Sequence, residues 1–115
     1  MPRAQFNRSD RVAALLRREV AQLVHQDVRD ALIPEMSVSD VEVTRDLAHA
    51  TIFVTTLKPE DSKVALAGLA EASKRYRHFL AKALALRMMP QLHFKYDDSV
   101  DRGERIDALL RGANI

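Results

Sequence analysis

No cysteine occurs in this sequence, which removes disulfides, thiolate metal ligands and thiol nucleophiles together and fits a reducing compartment. Tryptophan is also absent, and only two tyrosines and four phenylalanines are present, so aliphatic side chains must fill most of the core. The three glycines, Gly68, Gly103 and Gly112, are scattered, so there is no phosphate-cradling loop of the nucleotide-binding kind. No apolar run approaches the roughly 20 residues of a membrane span. The opening Met1-Pro2-Arg3-Ala4-Gln5-Phe6 has no secretory apolar stretch. The expected location is the cytoplasm of a bacterial-type cell.

Catalytic signals are missing as well. His25, His49, His78 and His93 are too far apart in sequence for metal-ligand spacing. No serine, histidine and aspartate grouping accompanies a nucleophile-elbow motif. Asp97-Asp98 is the one carboxylate pair that could suggest acid-base work, and helix capping explains it better. The expectation is a protein that is not an enzyme, with no cofactor and no metal.

What the chain has is sorted charge. Its 115 residues fit one domain, 47% hydrophobic, with a net charge of only +2. Residues 72–95 hold Lys74, Arg75, Arg77, Lys82, Arg87 and Lys95 and no acid, whereas residues 31–71 carry a surplus of acids. A local cationic segment on a nearly neutral chain points to an extended anionic partner, nucleic acid first. Lysine and arginine neutralise phosphates there, and arginine adds bidentate contacts.

The hydrophobic periodicity supplies a frame for those charges. Ser9 or Asp10 is the expected cap of a first helix. Val12, Leu16, Val20 and Leu23 share one face, and Arg11, Arg18, Gln22, His25 and Arg29 the other, up to Pro34. Residues 39–44 alternate as a half-buried strand, residues 50–57 are rich in β-branched types, and the short connection suits an antiparallel hairpin. Pro59, Glu60 and Asp61 open a helix running to about residue 72. Helical character resumes over 74–86 with Tyr76, Phe79, Leu80, Ala83 and Leu84 as the apolar stripe and Lys74, Arg75, Arg77, His78 and Lys82 outside it. Leu92, Phe94 and Tyr96 alternate in a third strand, and Asp98 or Ser99 could cap a last helix containing Ile106, Leu109 and Leu110. At Ala72, Ser73 and Lys74 two readings stay open, one continuous helix or a kink presenting the amides of a second helix to a phosphate. The fold class expected is α+β, α-β-β-α-α-β, a three-stranded sheet covered by helices on one face. Residues 1–8 are expected to be a flexible basic arm carrying Arg3 and Arg8, residues 9–98 the domain, and residues 99–115 a C-terminal helical extension.

Certain fragments resemble the ribosome-binding factor A family of bacteria. They are Thr44-Arg45-Asp46-Leu47-Ala48-His49-Ala50 leading into Ile52-Phe53-Val54; Leu86-Arg87-Met88-Met89-Pro90-Gln91-Leu92-His93-Phe94 followed by Tyr96-Asp97-Asp98-Ser99; and Gly103-Glu104-Arg105-Ile106. Their order and spacing carry the resemblance over nearly the whole chain. It implies a KH domain of the second topological type, whose family joins its two helices by an Ala-x-Gly kink. That kink maps to Ala72-Ser73-Lys74, and Lys74 replaces the glycine. It also implies a monomeric factor that binds the immature small ribosomal subunit through its rRNA and promotes late rRNA processing and subunit maturation. Other assembly factors are possible further partners; the alternative reading is a protein-interaction module docking another assembly factor or a GTPase. The residues expected to hold RNA are Lys74, Arg75, Arg77, Lys82, Arg87, Arg45, Arg8 and Arg11. Arg75, Arg77 and Lys82 are expected to be helix-surface sites whose joint loss spares folding.

Overall fold

A computed structural model describes residues 7–98. The elements are α1 (Arg8–Arg29), β1 (Met36–Val43), β2 (His49–Thr56), a 3₁₀ turn (Pro59–Asp61), α2 (Ser62–Leu84) and β3 (Gln91–Tyr96). The sheet order is β1-β2-β3, with β1 antiparallel and β3 parallel to the central β2. Both helices cover one face of the sheet, so the α+β class and the one-sided, three-stranded sheet are as the periodicity predicts.

The helix starts are chemically specified. Asn7 is the cap of α1, rather than Ser9 or Asp10: its side chain accepts from the Asp10 amide at 3.0 Å, and the Asp10 carboxylate accepts from the Asn7 amide at 3.2 Å. This reciprocal box satisfies two donors at once. Arg8 is therefore the first residue of α1 and not part of an arm. Pro59, Glu60 and Asp61 form the 3₁₀ turn that leads into α2.

The two helical patterns of residues 59–86 are one element. α2 runs unbroken through Ala72, Ser73 and Lys74, none of which has positive φ. The expected two-helix break is absent because none of the three residues interrupts a helix. The left-handed residue is instead Ala85, φ 49°, which ends α2 before Leu86. Arg3 and the expected C-terminal helix lie outside the described residues.

Leu16, Val20 and Val24 of α1 meet Ile52 and Val54 of β2 and Leu69, Tyr76 and Leu80 of α2 in one core. Full burial of each such side chain stabilises the fold by about 1.5–3 kcal/mol. Gly68 lets α2 approach the α1–β1 loop: a Cβ there would stand 2.8 Å from Ile33 Cγ2. No helix among the described residues is long and apolar enough to cross a membrane.

Candidate nucleic-acid interface

Three arginines from distant parts of the sequence meet at one end of the domain. Arg8 opens α1, Arg45 lies in the β1–β2 turn and Arg87 lies between α2 and β3. With Asp46, they line a groove of about 250 Å³ whose apolar walls are Val12, Leu47, Leu86 and Met88. All three arginines are exposed, and none has an ion pair or hydrogen bond among the described residues.

The turn that presents Arg45 is rigidly built. The Thr44 hydroxyl donates to Asp46 Oδ1 at 2.6 Å, and the same oxygen accepts from the Ala48 amide at 3.0 Å. The Leu47 amide donates to Thr44 O at 2.8 Å, with Leu47 at φ 62° and its side chain against the core. A positive φ is costly for leucine, so packing and the turn's hydrogen bonds must hold it there. The Thr44 hydroxyl first, then the Ala48 amide, hold the Asp46 carboxyl below its ordinary range. Asp46 is thus engaged by its own turn rather than by the arginines beside it.

The loop that presents Arg87 is tied to the same end. The Gln91 amide donates to Ala48 O at 2.9 Å. From α2, Arg77 Nε donates to Pro90 O and its Nη2 to Met89 O, each at 3.2 Å. Arg77 keeps its charge, because carbonyls do not neutralise it, but its geometry is committed to this loop. Lys74, Arg77, His78, Ala81 and Met89 line a second, shallow groove of about 270 Å³.

Arg75 departs from the expectation of a free cation. Its Nη2 and Nη1 donate to Asp27 Oδ2 and Oδ1 at 2.7 and 3.3 Å, and Tyr76 Oη donates to Oδ2 at 2.6 Å. The Asp27 side chain is 5% exposed and that of Arg75 56%. Burial pushes the Asp27 carboxyl up, but the Arg75 and Tyr76 hydrogen bonds and the guanidinium charge outweigh it, so the net shift is down. Burial, then the bond to Asp27, pushes the Tyr76 hydroxyl well above its usual range. One of the six cations of residues 72–95 is thus neutralised by an acid from α1.

The remaining predicted residues are distributed more widely. Lys74 and Lys82 are exposed on α2, and Arg11 is exposed on α1; none of the three has an ion pair among the described residues. Arg11 lines neither groove. Lys95 does not join the α2 cations, because it faces the side of the sheet opposite the helices. Asp27 was detectable in the sequence as an acid on the Val20 and Val24 face, a position that requires a buried partner.

The family model for ribosome-binding factor A matches residues 8–110. Ribosome-binding factor A of Stenotrophomonas maltophilia strain K279a is 60% identical over 111 residues, covering 96% of this chain and 87% of that protein. The crystal structure of ribosome-binding factor A from Thermus thermophilus superposes with a TM-score of 0.68 over 78% of this chain and 97% of that one. At 23% identity, this shows a shared fold. A Thermus thermophilus ribosome-binding factor A homology model fitted into a cryo-EM map of a 30S complex gives a TM-score of 0.63 at 26% identity, covering 75% of this chain and 91% of that one.

Proposed function

The chain belongs to the ribosome-binding factor A family, and from that premise we propose that it is a cytoplasmic, monomeric assembly factor that grips rRNA phosphates of the immature small ribosomal subunit. On a KH-like scaffold, Arg8, Arg45 and Arg87 form the principal grip, and Lys74, Arg77, Lys82 and Arg11 extend it. Arg75 contributes mainly to folding. The observation that carries the reading is the groove in which three unpaired guanidinium groups converge from three segments. Phosphate contacts of this kind fix register and orientation without reading bases.

The mechanism is binding without chemistry. An rRNA conformation that places phosphates against all three arginines is favoured over one that reaches fewer, by the difference in affinity alone. The factor thereby promotes late rRNA processing and subunit maturation by holding one conformer. The thermophile relative in the 30S complex supports this choice of partner.

Co-sedimentation with purified small subunits across a salt series tests the reading. Wild type should pellet with the subunits and be released as salt rises. The Arg8→Ala, Arg45→Ala, Arg87→Ala triple variant should bind more weakly and with a salt slope shallower by about two, given roughly 0.7 per phosphate contact on single strands. A triple variant that pellets as wild type does at every salt concentration would show that the groove is not the grip.

A further inference from the structure

The face of the sheet away from the helices carries a row of rings. Ala50, Ile52 and Val54 of β2 and Leu92 of β3 point into the core. The alternation therefore turns His49, Thr51 and Phe53 of β2, and His93 and Lys95 of β3, to the side that no helix among the described residues covers. The parallel register sets His93 beside Thr51 and Lys95 beside Phe53. His93 is thus diagonal to both His49 and Phe53, within reach of each ring.

The two imidazoles are already ordered. His49 Nδ1 and His93 Nε2 lie 2.9 Å apart and share one hydrogen bond, with ring centroids 5.1 Å apart and planes tilted by 34°. Both histidines are exposed, and Phe53 is half-buried. Rings held at strand spacing on an open sheet offer π-faces to unstacked bases, which every base can use irrespective of sequence.

The rings, Lys95 and the neighbouring Arg45 turn together indicate the occupant. The outward positions of β2 and β3 include Lys95 and no acid. Of the acids near this face, Asp40 and Glu42 lie on β1, where Asp40 has Arg17 at 3.9 Å, and Asp97, just past β3, accepts from the Ser39 hydroxyl. Lys95, beside Phe53, supplies a cation next to the rings. The turn bearing Arg45 leads directly into His49, so a strand leaving the arginine groove meets the first ring without a break.

We infer that His49, His93 and Phe53 are a stacking platform for the bases of a single-stranded RNA segment, with Lys95 placed for its phosphate. This inference rests on the rRNA-binding reading and adds that part of the bound RNA is unpaired.

The test compares a fluorescent single-stranded RNA of roughly ten nucleotides, within the range such sites cover, with an abasic ribose-phosphate chain of equal length and with a duplex. Wild type should bind the single strand about tenfold more tightly than the abasic chain, the scale of one or two stacked bases. His93→Ala and the His49→Ala, His93→Ala pair, both at exposed sites, should reduce or abolish that preference, as should Phe53→Leu, which keeps apolar bulk without a ring. Arg87→Ala should weaken single strand and abasic chain by the same factor. Equal wild-type affinity for single strand and abasic chain, tighter duplex binding, or histidine variants with unchanged preference would overturn the platform and leave the phosphate grip standing. Ring variants that bind RNA normally but lose the small subunit would place a ribosomal protein on this face, again overturning it. Failure of wild type to bind any of the three RNAs or the small subunit would overturn both readings.

Discussion

Arg75 on α2 and Asp27 near the end of α1, 48 residues apart in sequence, form a two-pronged ion pair with its closer arm at 2.7 Å. The acid is buried and the base is half in water. The carboxylate depends on this pair and on the Tyr76 hydroxyl for its solvation, while the guanidinium stacks 5.2 Å from the Tyr76 ring centre. Helix–helix association and the charge of the basic segment are therefore coupled.

Arg75→Ala should destabilise the fold. Removing one partner of a buried pair costs about 3–5 kcal/mol. Water reaches the exposed Arg75 side, so the expected loss is about 2 kcal/mol. Urea unfolding should show this loss for Arg75→Ala and less than about 0.5 kcal/mol for Lys82→Ala. The joint removal of Arg75, Arg77 and Lys82 consequently does not spare folding, and an RNA-binding defect in that variant would not isolate the patch. A double-mutant cycle with Asp27→Asn should return a coupling close to the Arg75→Ala loss.

Acid should act through the same pair. The Asp27 carboxyl is lower in the folded state than its ordinary value of 3.8. A depressed acid contributes stability that is fully present above the unfolded value and is lost as pH falls through the folded one. Stability should therefore decline as pH drops below about 4. Asp27→Asn should flatten that decline in urea midpoints measured from about pH 6 to about pH 2. Asp46, also depressed, responds in the same window, so some slope should survive.

Arg77 serves the loop as much as the surface. Its two donors hold Met89 O and Pro90 O, and Arg87 and Met88 sit just before them. Arg77→Ala should raise amide exchange across residues 85–91 while leaving β1 protected. Arg77→Lys should restore the charge and only part of the protection, because an ammonium lacks the planar fork that reaches two carbonyls. Equal protection in wild type and Arg77→Ala would show that Pro90 packing alone fixes the loop.

Where the sequence fell short, the cause is local. The antiparallel hairpin and the third strand are legible because Ile52 and Val54, then Leu92 and Phe94, alternate without interruption. The first half of β1 is not, because the register shifts between Val38 and Asp40. Met36 and Val38 are in one phase and Val41 and Val43 in the other, and the extra residue, Ser39, hides the continuity. The convergence of Arg8, Arg45 and Arg87 is a property of the tertiary fold and leaves no spacing signal. The pairing of Arg75 was legible only as an unexplained acid at Asp27. Counting charge over residues 72–95 could not reveal it, since the neutralising group lies outside that segment.

Lys74 gives the most direct test of α2. The family resemblance maps a kink to Ala72-Ser73-Lys74, whereas this helix passes through all three without positive φ. Lys74 is exposed and has no ion pair among the described residues, so replacing it alters little beyond backbone preference and one charge. In a continuous helix, Lys74→Gly should cost about 0.5–1 kcal/mol, because glycine surrenders more backbone freedom. At a bent site with positive φ the same change should be neutral or stabilising. Lys74→Ala removes the charge without the glycine penalty and should be nearly neutral. Urea unfolding of both variants separates the cases: a loss confined to Lys74→Gly supports the unbroken helix, and a gain there would mean that the helix bends at Lys74.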